Sequence, residues 1–240
     1  MRVFAIGDMH LEGGTGKTMD RFGDHWCNHD QKIFSAWEQI GRDDDLLLVV
    51  GDSSWALRLQ EAQSDLDRIG AMKGAKILLK GNHDYWWESA KKLNQTLHPS
   101  IQIVQGNAVI INRLAIAGTR GWVCPNDTYF ELPDQKLYER EVGRLKIALE
   151  SLQKQKGEFD NLIIALHYPP MNQFHEPSGF TELIDRYAAD VCVYGHLHGE
   201  AIKSAFIGRR NKTIYYLVSA DAVNFAPAEI VLTQAESKTV

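Results

Sequence analysis

Three cysteines in 240 residues, Cys27, Cys124 and Cys192, are too few and too widely spaced for a disulfide framework. No Cys-x-x-Cys pair exists to build a zinc ribbon, so the expected compartment is reducing and cytoplasmic. Long apolar runs are missing too. The longest aliphatic stretch, Leu46 to Val50, falls far short of the roughly 18 residues of a membrane span, and Met1 to Ile6 is too brief for a secretory core. Positive charge is not in excess: 26 Lys and Arg stand against 31 Asp and Glu, a net charge of -5. Bulk electrostatic attraction to nucleic acid or an anionic membrane is therefore not indicated. No internal repeat and no linker rich in Pro, Gly or Ser divides the chain. The expectation is one domain over residues 1–240, long enough to bury about 70–75% of its unfolded surface.

What the chain does have is nine histidines and a set of short apolar runs without polar alternation. Val3–Ile6, Leu46–Val50, Ile77–Leu79, Leu162–Leu166 and Val191–Tyr194 have the pattern of strands buried on both faces. Ile33, Trp37 and Ile40, after the cap candidates Asn28 and Asp30, recur at helical spacing. Leu59, Ala62, Leu66 and Ile69 do the same, and Leu137 to Leu152 forms a longer stripe with Gly157 as its stop. Alternating strands and helices indicate an α/β class. Further strands are expected at Ile101–Val104, Val109–Ile111, Leu114–Thr119, Thr213–Val218 and Ile230–Leu232, enough for a second sheet.

Each of the five buried runs ends in polar residues: Gly7-Asp8-Met9-His10, Gly51-Asp52, Lys80-Gly81-Asn82-His83-Asp84, His167, and Gly195-His196-Leu197-His198. Ligands in α/β sheets bind outside the carboxyl ends of strands, so Asp8, His10, Asp52, Asn82, His167, His196 and His198 are expected at one rim. Imidazole, carboxylate and amide oxygen together suit first-row divalent metals. Seven ligands exceed what one zinc takes. Two ions about 3.5–4 Å apart, sharing a carboxylate, would use them all. A lone Asp-x-His, His-x-His or His167 carries little weight, and Gly-Asn-His-Asp after a strand carries more, since three polar groups there need partners; the five in this order do not arise readily by chance.

That ordered set resembles the calcineurin-like metallophosphoesterases, whose pattern is Asp-x-His, Gly-Asp, Gly-Asn-His-Asp/Glu, His and Gly-His-x-His. The resemblance spans nearly the whole chain. It implies a four-layer αββα sandwich of two mixed β-sheets flanked by helices. It also implies two divalent metal ions (Mn, Fe, Zn, Co or Ni, with Mn and Fe favoured), one held by Asp8, His10, Asp52 and His198, the other by Asp52, Asn82, His167 and His196. By the same resemblance, His83 is a non-ligand catalytic histidine, oriented and kept protonated by Asp84. The implied reaction is hydrolysis of a small phosphomonoester or phosphodiester by in-line attack of a metal-bridging hydroxide.

The arginines of the family's protein phosphatases are replaced at the matching places by Ala56 and Lys80, which are not equivalent phosphate clamps. The surrounding stretches, Gly51 to Ala56, Asn82 to Trp87 and Gly118 to Trp122, resemble a bacterial group of predicted phosphohydrolases. Trp55, Tyr85, Trp86, Trp87, Trp122 and Tyr168 follow strand ends and either wall the rim or pack under loops. Arg120, then Arg58, are candidates for an extra phosphate contact, and His25, His29 and His175 read as surface or capping residues. Gly13 to Thr18 has the glycines of a P-loop but places Leu11 where the first glycine belongs. A nucleotide or phosphate sensor that keeps the site without turnover is the alternative, and the presence of His83 argues against it.

Overall fold

The computed structural model describes residues 1–232. Its first sheet contains β1 (Val3–Ile6), β2 (Leu46–Val50), β3 (Ala75–Leu79), β4 (Ile101–Val104) and β11 (Ala228–Glu229), in the order β11-β1-β2-β3-β4. Its second contains β5 (Asn107–Ile111), β6 (Leu114–Thr119), β7 (Asn161–Leu166), β8 (Val191–Tyr194), β9 (Gly208–Arg210) and β10 (Thr213–Leu217), in the order β5-β6-β7-β8-β10-β9. Within each sheet the central pairs are parallel, while β11, β5 and β9 pair antiparallel at or near the edges.

The apolar runs lack polar alternation because both faces of each strand are covered. Side chains alternate faces along a strand. Val3, Ala5, Leu46, Leu48 and Val50 accordingly meet Ile163, Ala165, Val191 and Val193 in a core between the sheets. Phe4, Ile6, Leu47 and Val49 face the other way and pack against α1 (His29–Ile40) and α2 (Leu59–Ala71) through Ile33, Trp37, Leu66 and Ile69. On the far side, Leu162, Ile164, Cys192 and Tyr194 meet Leu145 and Leu149 of α4 (Leu132–Gln153) and Phe180 and Ile184 of α5 (Gly179–Arg186). The layers are thus helix, sheet, sheet, helix, as expected. A substitution such as Leu48→Ala in the middle layer would cost about 2–5 kcal/mol.

The structure differs from the sequence reading mainly at element ends. Ile40 closes α1 on its exposed side rather than on the apolar stripe. Asn28 precedes α1 in a left-handed conformation with no capping bond from its side chain, and Asp30 instead pairs with Arg68 at 2.9 Å. The long helix begins at Leu132, because Asp134 accepts from the backbone of Glu131 in a capping box and Pro133 suits a first turn. It ends at Gln153, before Gly157. The last strand falls at Ala228–Glu229 instead of Ile230–Leu232, although Ile230 N still donates to Val3 O. Short helix α3 (Ala90–Thr96) and α5 have no counterpart in the sequence reading. No helix among the described residues is long and apolar enough to cross a membrane.

Candidate metal centre

The carboxyl ends of β1, β2 and β3 in one sheet meet those of β7 and β8 in the other. Gly7 N donates to Val218 O at 2.6 Å, joining β1 to the end of β10, while Asp8 N and His10 N donate to Gly51 O and Asp52 O, both at 2.9 Å. Gly195 N reaches His167 O at 3.1 Å. These cross-loop bonds hold strained backbone: Asp8, His10, Asp52 and His196 have φ of 57°, 44°, 50° and 73°. Such conformations cost about 1–3 kcal/mol each and persist where surrounding structure enforces them, characteristically at functional sites. Close approach also explains two glycines. A Cβ on Gly81 would lie 2.0 Å from Asp52 Oδ1, and one on Gly195 would lie 2.4 Å from Asp8 Oδ2.

The result is a convergence of lone pairs. Asp8 Oδ2 accepts from His196 N at 2.9 Å, while Asp8 Oδ1 lies 3.3 Å from His198 Nε2 and 4.0 Å from His167 Nδ1. Asp52 Oδ1 accepts from His83 N at 2.8 Å, leaving Oδ2 at 3.8 Å from His10 Nε2 and 3.5 Å from His167 Nε2. His167 Nδ1 sits 3.0 Å from Val50 O, which can only accept, so Nδ1 carries the proton. The neutral ring then directs a bare Nε2 at Asn82 Oδ1, 2.7 Å away, as well as at Asp52. Asp8 Oδ1 and His10 Nδ1 are buried without a hydrogen-bond partner. Facing lone pairs and orphaned buried polar atoms are costly, and a cation among them would relieve the lone pairs. Two groups, Asp8/His10/His198 and Asp8/Asp52/His167, each bring their donor atoms within 4.8 Å of one another. The residues present fit a metal.

Asp8, and not Asp52, is common to those two groups, whereas Asp52 Oδ2 has a histidine of each group within 3.8 Å. His196 belongs to neither group; its ring lies against Tyr168 with centroids 4.0 Å apart, and 5.1 Å from His167.

Electrostatics divide the ring of donors. Burial pushes His10, His167 and His196 down, His196 to about 3, so they are neutral and ready as ligands. Burial acts the same way on His198, but the Asp8 and Asp221 carboxylates more than offset it and lift this ring to about 10. Asp52, buried beside Asp84 and Asp8, is held well above the usual carboxylate range. Asp8 is desolvated too, yet the positive end of His198 and the neighbouring His167 and His10 pull it below that range.

Asp221 is a site residue that the sequence reading missed. Its Oδ1 is 2.8 Å from His198 Nδ1 and its Oδ2 accepts from Gly199 N at 2.9 Å, which directs His198 Nε2 at Asp8. The residue stands 23 positions downstream, after β10, and its only signal is that it too follows a strand end. His29 is likewise supportive: buried, with Nε2 3.0 Å from Met9 O and 3.2 Å from His10 O, it fixes the Asp8 to His10 turn.

Asp84 corrects an expectation. Its carboxylate accepts from Asp52 N, Ser53 N, Ser53 Oγ, Gly81 N and Trp86 Nε1 at 2.8–2.9 Å and makes no bond to His83. With Ser54 N at 3.4 Å, six backbone and side-chain donors surround it, so it ties the Asp52 loop to the Gly81 loop instead of orienting the histidine. His83 is not kept protonated either; burial and the nearby His167 push it down.

A cavity of about 340 Å³ opens over the ring, lined by His10, Asp52, His83, His196 and His198 together with Trp26, Trp55 and His25. Trp55 stacks on His10 with centroids 4.6 Å apart and planes at 19°. A second cavity of about 710 Å³ begins at His196 and Tyr168 and runs past Trp122, Met171, His175 and Phe206. Trp86 is buried and bonded to Asp84, a packing role. Trp87 and Arg120 line neither cavity; they share a separate one with Lys80. Arg58 is the exposed residue before α2 and lines none of these cavities.

The protein is a two-sheet αββα sandwich with a buried carboxylate and imidazole cluster across its carboxyl edge, a donor set that could hold a divalent metal. The chain belongs to the calcineurin-like phosphoesterase family, whose model matches residues 1–200. Two solved structures share the fold. The Mycobacterium tuberculosis phosphopantetheinyl hydrolase PptH is 15% identical, with 97% of this chain and 96% of that one covered and a TM-score of 0.57. The Aquifex aeolicus protein of unknown function AQ665 is 13% identical, with 95% of each chain covered and a TM-score of 0.51. Comparison with curated proteins finds no match.

Proposed function

We propose that this chain is a dinuclear metal-dependent phosphoesterase. One ion would be held by Asp8, His10, Asp52 and His198 and the other by Asp52, Asn82, His167 and His196. The observation that carries the reading is the ring of lone pairs, with Asp8 Oδ1 and His10 Nδ1 orphaned and His167 Nε2 facing Asn82 Oδ1. The Asp52 Oδ2 position, within reach of His10 and His167 at once, supports its role as the shared carboxylate. Two divalent ions, when bound, supply an activated water at neutral pH and neutralise charge on the phosphoryl oxygens. His83 lines the same cavity, and its ring makes no hydrogen bond among the described residues. It is free to donate to a phosphoryl or leaving oxygen, and an arriving phosphoryl anion raises its proton affinity again.

The leaving group would lie in the larger cavity, whose 710 Å³ is within the range of small-molecule sites. Its charged lining residues are Asp127, Asp134 and Glu200, with no Lys or Arg, so a neutral or cationic leaving group with an apolar or planar face is favoured. The unpaired Cys27, Cys124 and Cys192 support a cytoplasmic setting.

The test is hydrolysis of p-nitrophenyl phosphate and bis(p-nitrophenyl) phosphate by the purified chain with added Mn²⁺. Release of nitrophenol that depends on Mn²⁺ is expected, and the faster ester reports mono- or diesterase preference. A folded, Mn²⁺-loaded chain inert toward both esters would leave the sensor reading in its place.

A further inference from the structure

A third cavity, of about 450 Å³, lies outside the metal rim and shares no lining residue with the other two. Four cations surround it: Lys80, Arg120, Arg140 and Arg144. Two carboxylates are close. Glu141, fully buried, accepts on Oε1 from Arg140 Nε at 3.1 Å, Arg140 Nη2 at 3.0 Å and Arg144 Nη1 at 2.8 Å, and its Oε2 takes the Thr119 hydroxyl. Glu88 is exposed and already paired with Lys92 at 2.7 Å. Glu141 is thus engaged by Arg140 and Arg144, and Glu88 by Lys92, which leaves Lys80 and Arg120 without a carboxylate partner in a partly desolvated space.

Two of these cations have no acceptor. The Lys80 ammonium and the Arg120 guanidinium make no hydrogen bond or ion pair among the described residues. Arg120 Nε is buried and unpartnered, and the guanidinium is stacked on the Trp122 ring at 4.4 Å. Gln105 adds an amide whose oxygen also lacks a partner and which, turned over, offers two donors. Guanidinium forks flanked by an ammonium match the several oxygens of a tetrahedral oxyanion.

We propose that this cavity is a second anion site, built for a phosphate-type dianion and separate from the metal centre. Its walls touch the centre through the backbone. Lys80 is two residues before Asn82, and the Arg120 carbonyl accepts from His167 N at 3.0 Å and Tyr168 N at 2.9 Å. An anion seated here therefore braces the loops that carry Asn82 and His167.

Thermal melts of the metal-free chain in inorganic phosphate, against chloride of equal ionic strength, test it without any turnover. Phosphate is expected to raise the Tm of the wild type and of Asp52→Asn equally. Lys80→Gln should raise the Tm in chloride, by relieving repulsion, and abolish the phosphate increment; Arg120→Lys, which keeps the charge but loses the fork, should retain part of it. No phosphate-specific increment in the wild type, or an undiminished one in Lys80→Gln, overturns the proposal. With the Mn²⁺-loaded chain, the source of the anion is read from KM. Lys80→Gln that raises KM for a bis-phosphorylated ester and not for p-nitrophenyl phosphate marks a second phosphate of the substrate. Unchanged KM for both, with the phosphate increment in Tm lost, marks free phosphate.

Discussion

The two halves of the candidate centre come from similar motifs and differ sharply in environment. His198 is 31% exposed, sits between the Asp8 and Asp221 carboxylates and holds a proton up to about pH 10 when no metal is present. His167 is fully buried, rests on one backbone carbonyl and is neutral. In the first half a proton on His198 answers the two carboxylates; in the second, the His167 Nε2 lone pair faces the Asn82 and Asp52 oxygens at 2.7 and 3.5 Å. A ligand histidine thus takes its charge state from its partners and burial, not from the motif around it, and the two ions should bind with different pH dependence.

Asp52→Asn attacks what the halves share. Turnover is expected to fall to background, several kcal/mol of lost transition-state stabilisation, while circular dichroism stays native. Retained activity would separate the halves into independent sites. His83→Ala touches neither half; it should cost about 10²- to 10⁴-fold in kcat with metal content unchanged, and lost metal would instead make His83 a ligand. Asp221→Asn acts on one half only. Weaker binding of one ion by about 10- to 100-fold is expected from isothermal titration, with the other ion unaffected. Equal weakening of both would erase the distinction.

The smallest effect is on the metal-free chain itself. Because His198 binds its proton more tightly folded than unfolded, its contribution to stability is complete below its ordinary pKa of 6.5 and fades as pH rises toward 10. Tm of the metal-free wild type should therefore decline between about pH 7 and 9.5, and His198→Gln should flatten that decline. Loading metal at pH 8 should release one proton fewer from His198→Gln than from the wild type, measured by calorimetry in two buffers.

The ligand loops were legible in the sequence because buried strands leave unmistakable apolar runs, and a polar residue directly after such a run has few places to go. β1, β2 and β8 matched their runs to the residue for that reason. Asp221 was not legible because its meaning depends on β10 lying beside β8, a pairing that no local pattern encodes. Asp84 was misread for a related reason. Its place next to His83 suggested a contact, but the turn directs its carboxylate backwards into the Asp52 loop. The basic cavity escaped notice because Lys80 and Arg120 come from different sheets and Arg140 and Arg144 from one face of α4; only the folded layers bring them together.

The most direct test of the account is to count bound Mn²⁺ by elemental analysis while measuring phosphate-ester turnover as the ion is titrated into metal-free chain. Two ions per chain, with turnover rising as the second equivalent fills, is the predicted result. Saturation at one ion or none, or hydrolysis indifferent to Mn²⁺, would contradict a single centre in which Asp52 joins the two halves.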